Sequence, residues 1–360
     1  MTLTCLSCFS TTPVRSTLQQ WCSIPRTFVT VAKARTPREH GATTLIVDTD
    51  AGFDDLLTIS ALKSKKTADM PFISTVGGMQ DNPVIAARFL KHLFPDTALQ
   101  VVPGDNKQSG HEAVPEWLQN FRKILDSMMQ SSGIEECPQE EEKEKKRTNN
   151  TSVEVAEFLT NHTGSVDIMC LGPLTNIASW LESDDTRKLL QNKVNSVWIM
   201  GGNIPSENTT EPEFNFATDP GSMSKVLHHE ILRDKIVLVP AQTCERQSAS
   251  KQEWDSLIER GKEGNGVISK VLLADSSWDD LKFDSLCAFA YAKYYAPNGA
   301  INCKTLSVSV DNNTGLLLAP ASDQHDDAIK IKFVTDISVN DDFGFLAWFG
   351  EAIEAEQRCS

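Results

Sequence analysis

The sequence predicts an α/β fold: an open, mostly parallel, doubly wound sheet flanked by helices. Short apolar runs ending in Gly, Pro or a polar turn alternate with stretches of helical spacing, the pattern of strands joined by crossover helices. The chain has 360 residues, 40% of them hydrophobic and 23% charged, an ordinary globular composition. It shows no long Gly/Ser linker and no internal repeat, so residues 43–360 read as one domain.

The elements follow in order. TTLIV (Thr43–Val47) is an apolar run of the kind that forms a buried strand, and Asp55–Leu62 reads as the helix after it. PFISTVGG is the next strand with its glycine turn, Asn82–Phe94 is helical, and LQVVPG is a third strand. SVDIMCLG, SVWIMGG and KIVLVP repeat the theme. Ile331–Val334 is a late strand and Phe343–Ala355 a closing helix. A charged loop at about 132–150, with the run Glu140 to Arg147, breaks the pattern and reads as a solvated loop or frayed helix.

Composition excludes some functions. A formal net charge of -15 argues against a nucleic-acid partner, because phosphate backbones need basic patches. No apolar stretch approaches the roughly eighteen residues of a membrane span. The nine cysteines lack paired spacing; they read as small core residues of a reducing compartment rather than a disulfide framework or zinc site. Residues 1–38 contain no Asp or Glu, carry Arg15, Arg26, Lys33, Arg35 and Arg38, and are rich in Ser and Thr. Residues 1–40 therefore read as a transit peptide to a mitochondrion or plastid, or else as a disordered tail on a cytoplasmic protein.

The chemistry concentrates in VDTDAGFDDLL, where Asp48, Asp50, Asp54 and Asp55 fall within eight positions on the loop after the first strand. In open α/β sheets ligands bind in the crevice outside the carboxyl ends of the strands, so the cluster belongs to that crevice. Like charges this close oppose one another's ionisation. The start of the following helix offsets only about 0.3–1 kcal/mol per charge. A hard divalent cation, with its appetite for oxygen ligands, can hold them ionised, and Ca²⁺ tolerates irregular loop geometry. An EF-hand does not fit, because counting from Asp48 its sixth position is Phe53 and its twelfth Ile59. A metal-dependent phosphatase with an aspartyl nucleophile leaves the Asp54–Asp55 pair without a role. A purely structural cap would account for one or two of the carboxylates.

The stretch also resembles the N-terminal signature of the inosine-uridine-preferring nucleoside hydrolases, usually DxDPGxDDA. Cys170–Ala178 (CLGPLTNIA), Ile199–Gly202 with Glu213-Phe214-Asn215 and Asp219-Pro220, and Phe283–Ala288 (FDSLCA) resemble its later motifs, in the same order. The resemblance implies that family's Rossmann-like fold and hydrolysis of a ribonucleoside N-glycosidic bond, purine favoured, around bound Ca²⁺. It implies Asp50, Asp55, Asp284 and the main-chain carbonyl of Thr175 as metal ligands, with Asp50 also the base that activates water. It implies Asp48 as support, Asp54 on a ribose hydroxyl, and Glu213 and Asn215 along the sugar, with Asn208 or Asn203 assisting. It implies a small-molecule nucleoside substrate and a homo-oligomer, dimer or tetramer.

Four positions depart from the family. Ala51 replaces the usual Pro, read as some loss of loop rigidity. Phe283 stands where many members place a His acid; it either stacks on a purine, with Trp278 as the other face, or is a core residue. Met79 falls where an Asn usually sits near the ribose. Ser109–Glu112 is the only candidate for the substrate loop, and a lone loop His such as its His111 is more often simply solvated than in contact with substrate. The sugar and metal half of the site is recognisable and the base half is not. The loss of Asn and His keeps open a catalytically altered ribosyl-binding or regulatory homologue.

Overall fold

The computed structural model describes residues 44–66, 68–106, 116–131, 151–206, 209–245, 251–274, 293, 300–320, 328–338 and 345–359, which belong to the unit Pro37–Ser360. The tail 1–40 and the charged loop 132–150 lie outside the described residues, as do His111, Asn208, Trp278, Phe283 and Asp284.

β1 (Thr44–Thr49) is buried along nearly its whole length, because both of its faces are covered. Leu45 and Val47 face one apolar cluster and Ile46 the other, the period-2 consequence of a strand between two layers. β2 (Asp69–Thr75) and β3 (Gln100–Pro103) lie to one side of it. β4 (Val166–Cys170), β5 (Val194–Met200) and β6 (Ile236–Val239) lie to the other. The sheet continues through β9 (Ile329–Ser338), β7 (Ala300–Val310) and β8 (Leu317–Leu318), giving the order β3-β2-β1-β4-β5-β6-β9-β7-β8. Pairing is parallel from β3 to β9, while β7 runs antiparallel to both β9 and β8. The mostly parallel, doubly wound class expected from the sequence is the fold observed. The late strand expected at Ile331–Val334 is longer, and its partner β7 has no counterpart among the strands expected from the sequence.

One face carries α1 (Phe53–Lys65), α2 (Pro83–Leu93), α3 (Glu116–Ser131), α11 (Lys251–Gly261), α12 (Val267–Ala274) and α13 (Phe345–Cys359). The other carries α4 (Thr151–Asn161), α5 (Thr175–Trp180), α6 (Asp184–Lys193), α8 (Pro220–His228) and α9 (Glu230–Arg233). Two short helices, α7 (Phe214–Thr218) and α10 (Ala241–Glu245), lie beyond the carboxyl ends of β5 and β6. α2 starts where Asn82 caps it through the Val84 amide and Pro83 presets its first turn. Among the described residues no helix is long and apolar enough to cross a membrane.

The strand order reverses between β1 and β4, so the chain winds outward in both directions from that pair. This is the switch point where loops diverge and leave a crevice. The acidic turn follows β1 and the CLGPLTNIA turn follows β4.

Candidate functional site: an acidic turn at the switch point

Asp48, one residue before the end of β1, is fully enclosed. Its Oδ1 accepts hydrogen bonds from Ser74 Oγ on β2 at 2.5 Å and Asn176 Nδ2 on α5 at 2.7 Å. Burial nevertheless pushes its carboxyl up to about 7, with those two bonds opposing the rise. Asn176 also donates to the Thr75 carbonyl and accepts from the Asp105 amide, so one buried side chain ties the ends of three strands together. Asn176 lies inside a motif that carries an expected ligand, yet its own tie to Asp48 is new with the structure. A polar residue at the start of a helix in an otherwise apolar turn is the only sequence signal for it.

Thr49 Oγ1 donates to Asp55 Oδ2 at 2.5 Å and accepts the Ala51 amide at 3.0 Å. Ala51 is buried with φ 60°, the left-handed region. Proline can adopt neither that φ nor that N–H bond. Reading Ala51 as a mere loss of rigidity is thus corrected: the turn here has a backbone that a proline cannot follow.

Asp50 is 2% exposed and Asp55 1%. Asp50 Oδ2 accepts the Met79 amide at 2.8 Å. The Asp50 and Asp55 carboxyls lie within hydrogen-bonding reach of each other. Burial pushes Asp50 up to about 6 against the opposing Met79 bond. It pushes Asp55 well above the usual carboxylate range, with repulsion from Asp54 and Asp50 adding to the rise. Asp54, in the first turn of α1, is half-buried.

Two glycines let neighbouring loops close on Asp50. A Cβ at Gly78 would stand 2.2 Å from Asp50 Oδ2, and one at Gly172 would stand 3.0 Å from the Asp50 backbone nitrogen. The Leu171 amide donates to the Asp48 carbonyl at 2.7 Å, so the β4 turn leading to Thr175 packs directly against the acidic turn. Thr175 begins α5, and its Oγ1 donates to Asp219 Oδ2 at 2.7 Å.

Asn215 Nδ2 donates to the Leu171 carbonyl at 2.9 Å, linking the loop after β5 to the same turn. Glu213 caps α7: its carboxylate accepts the amides of Gly202, Asn215 and Phe216. Asn203 donates to the Glu211 carbonyl across the loop. Met79 turns its side chain onto the apolar cluster beneath α1 and offers the site only its amide.

The structure thus brings together Asp48, Asp50, Asp54, Asp55, the turn carrying Thr175, and Asn215. Among the described residues no group of three or more His, Cys, Asp or Glu side chains is arranged to hold a metal ion. Asp284, the third carboxylate assigned by resemblance, is not among them. What is present is a pair of enclosed acids in contact, with a third alongside. Oxygen donors forced together in this way fit a hard cation better than they fit one another.

Fold and site together define a doubly wound α/β protein with an acidic crevice at its switch point. The sequence profile of the inosine-uridine preferring nucleoside hydrolases matches residues 45–342, and the chain belongs to that family. The pyrimidine-specific ribonucleoside hydrolase RihA of Photobacterium profundum is 26% identical over 179 residues. That match spans 49% of this chain and about half, 54%, of the relative.

Solved structures show the same fold. An inosine-uridine preferring nucleoside hydrolase from Bacillus anthracis superposes with a TM-score of 0.61 at 16% identity, covering 87% of this chain and 99% of the other. An inosine-guanosine nucleoside hydrolase gives 0.64 at 16% identity, with 86% and 98% covered. A purine-preferring ribonucleoside hydrolase from Gardnerella vaginalis gives 0.61 at 14% identity, with 88% and 100% covered.

Proposed function

We propose that this chain hydrolyses the N-glycosidic bond of a ribonucleoside to ribose and free base, with Ca²⁺ bound at the acidic turn. The observation that carries the reading is the buried Asp50–Asp55 carboxyl pair at the switch point of this family's fold. The carboxylates of Asp50 and Asp55 would hold the cation, with Asp284 and the Thr175 carbonyl assigned to it by resemblance. When bound, Ca²⁺ would lower the pKa of water and fix the sugar diol. Asp50 takes the proton of the attacking water and directs it at C1′. Cleavage develops positive charge on the ribose ring, and Asp54 and Asp55 set a negative potential beneath it. Asn215, held by the Leu171 carbonyl, lines the sugar side. Preference for purines rests on the aromatic pair Phe283 and Trp278 in the sequence. Delivery to an organelle by residues 1–40 belongs to the same proposal.

A second reading, a ribosyl-binding homologue without turnover, is favoured by one observation: Met79 packs its side chain onto the core where relatives present an Asn. Ribose release from inosine, guanosine, adenosine and uridine, assayed with Ca²⁺ and with a chelator, separates the two. The hydrolase reading expects release that the chelator abolishes, fastest from inosine or guanosine. Binding of all four without release sinks it.

A further inference from the structure

Arg122 projects from α3 toward the loop that closes on Asp50. Its Nη2 donates to the Gly78 carbonyl and its Nε to the Met79 carbonyl, both at 2.9 Å. Its Nη1 lies 3.3 Å from Asp81 Oδ2. The side chain is only 15% exposed, whereas that of Asp81 is 55% exposed, so the enclosed part of the guanidinium serves the two carbonyls.

The other ends of those same peptide units both reach Asp50. The Gly78 carbonyl and the Met79 N–H belong to one planar peptide, and that N–H donates to Asp50 Oδ2 at 2.8 Å. The Met79 carbonyl and the Gln80 N–H belong to the next, and that N–H donates to the Asp50 carbonyl at 3.1 Å. Two consecutive rigid dipoles therefore run from Arg122 to Asp50, each with its oxygen on the guanidinium and its hydrogen on the aspartate.

A cation at the oxygen end polarises each peptide and strengthens its N–H as a donor. The planar fork of Arg meets two successive carbonyls in one geometry, which the point charge of Lys cannot. The neighbouring Phe121 packs on Phe53 at 4.5 Å between ring centroids, anchoring α3 to the first residue of α1.

We propose that Arg122 is a positioning residue: through the Gly78–Met79 and Met79–Gln80 peptides it orients the Asp50 carboxylate for its work on water. The proposal rests on Asp50 being the base, as read above, and deepens that reading.

The test uses the full chain with Arg122→Gln and Arg122→Lys. For Arg122→Gln, kcat for ribose release falls roughly ten- to a hundredfold, the usual effect of losing a group that orients a ligand. KM stays within about twofold on the same ground, and Arg122→Lys restores part of kcat. A wild-type kcat in Arg122→Gln, or a kcat loss that merely tracks lost thermal stability, overturns the proposal while leaving the hydrolase reading intact. Amide hydrogen exchange of residues 76–82 gives a readout independent of activity. Exchange of the Met79 and Gln80 amides speeds up in Arg122→Gln, and that of Met79 speeds up in Asp50→Ala, which removes its acceptor. Unchanged protection in Arg122→Gln overturns the proposal even if the wild type releases no ribose.

Discussion

Glu356 on α13 and Asp55 on α1 are both carboxylic acids withdrawn from water, and burial pushes both above the usual carboxylate range. Their surroundings differ. Glu356 rises to about 7 while accepting the amides of Ile268, at 2.9 Å, and Val267, the Ser64 hydroxyl, and attraction from Lys270. It is an N-cap for α12 supplied from another helix, and a Cβ at Gly266 would stand 2.2 Å from its Oε2. Asp55 has one hydroxyl donor, Thr49, and its charged neighbours are Asp54 and Asp50. A raised pKa is common to both and so does not mark a functional site by itself. What separates them is whether the neighbours are donors or more acids. Donors make a joint between helices; acids make a place that needs a cation.

The largest expected effect breaks the comparison at the acidic turn. Asp50→Asn should lower ribose release by about a thousandfold, within the range for losing a general base. Its effect on stability should run the other way. The new side-chain amide would donate to the Asp55 carboxylate while its oxygen keeps the Met79 amide, so without Ca²⁺ the variant melts higher than the wild type. The pH dependence has a definite sign. Asp50 rises from 3.8 unfolded to about 6 folded, so its protonated form is the one the fold favours. That stability is fully present below about pH 4 and lost as pH climbs through about 6. In chelator the wild-type melting temperature should fall between about pH 4 and 6 more steeply than that of Asp50→Asn, and Ca²⁺ should restore it only in the wild type. Parallel curves in chelator would mean the turn is not under acidic strain.

A smaller effect tests the other pole. Glu356→Ala removes a cap from α12 and should cost about 1–2 kcal/mol in a denaturant melt. Glu356→Gln keeps an acceptor for the Ile268 amide. Because the folded state favours neutral Glu356, stability present below about pH 4.5 is lost as pH rises through about 7, and Gln should gain on the wild type across that range. Neither variant should change Ca²⁺ affinity more than about twofold, since additivity holds for separated sites. A large loss of Ca²⁺ affinity in Glu356→Gln would join the two regions into one.

One of these regions is legible in the sequence and the other hidden, for physical reasons. Four carboxylates on one turn after a buried apolar run are visible as a pattern, because repulsion that strong needs an explanation. The β1–β6 strands are legible because a strand covered on both faces must be continuously apolar, as in KIVLVP. β7 is not: AINCKTLSVSV lies toward the edge of the sheet and carries Asn302, Lys304 and Ser307 in place of a continuous apolar run. Glu356 looks like any surface Glu on a closing helix, since nothing local shows that a distant α12 begins over it. Arg122 is hidden likewise, because its partners are backbone carbonyls, which no residue letter announces. The left-handed backbone of Ala51 is unreadable because Ala rarely adopts it.

That last residue gives the smallest and most discriminating prediction. Holding an L-residue at φ 60° costs about 1–2 kcal/mol, so Ala51→Gly relieves the turn by that much. Glycine's extra freedom in the unfolded chain takes back about 0.4–1 kcal/mol. Loss of a fully buried methyl takes back up to about 0.8 kcal/mol. The terms nearly cancel, and Ala51→Gly should unfold within about 0.5 kcal/mol of the wild type on that sum. Were Ala51 in an ordinary conformation, only the two losses would remain and the variant would fall by about 1.5 kcal/mol. A denaturant melt resolves the difference. A loss of that size would show that the acidic turn stores no backbone strain, leaving like charge as the only feature that sets it apart from the Glu356 cap.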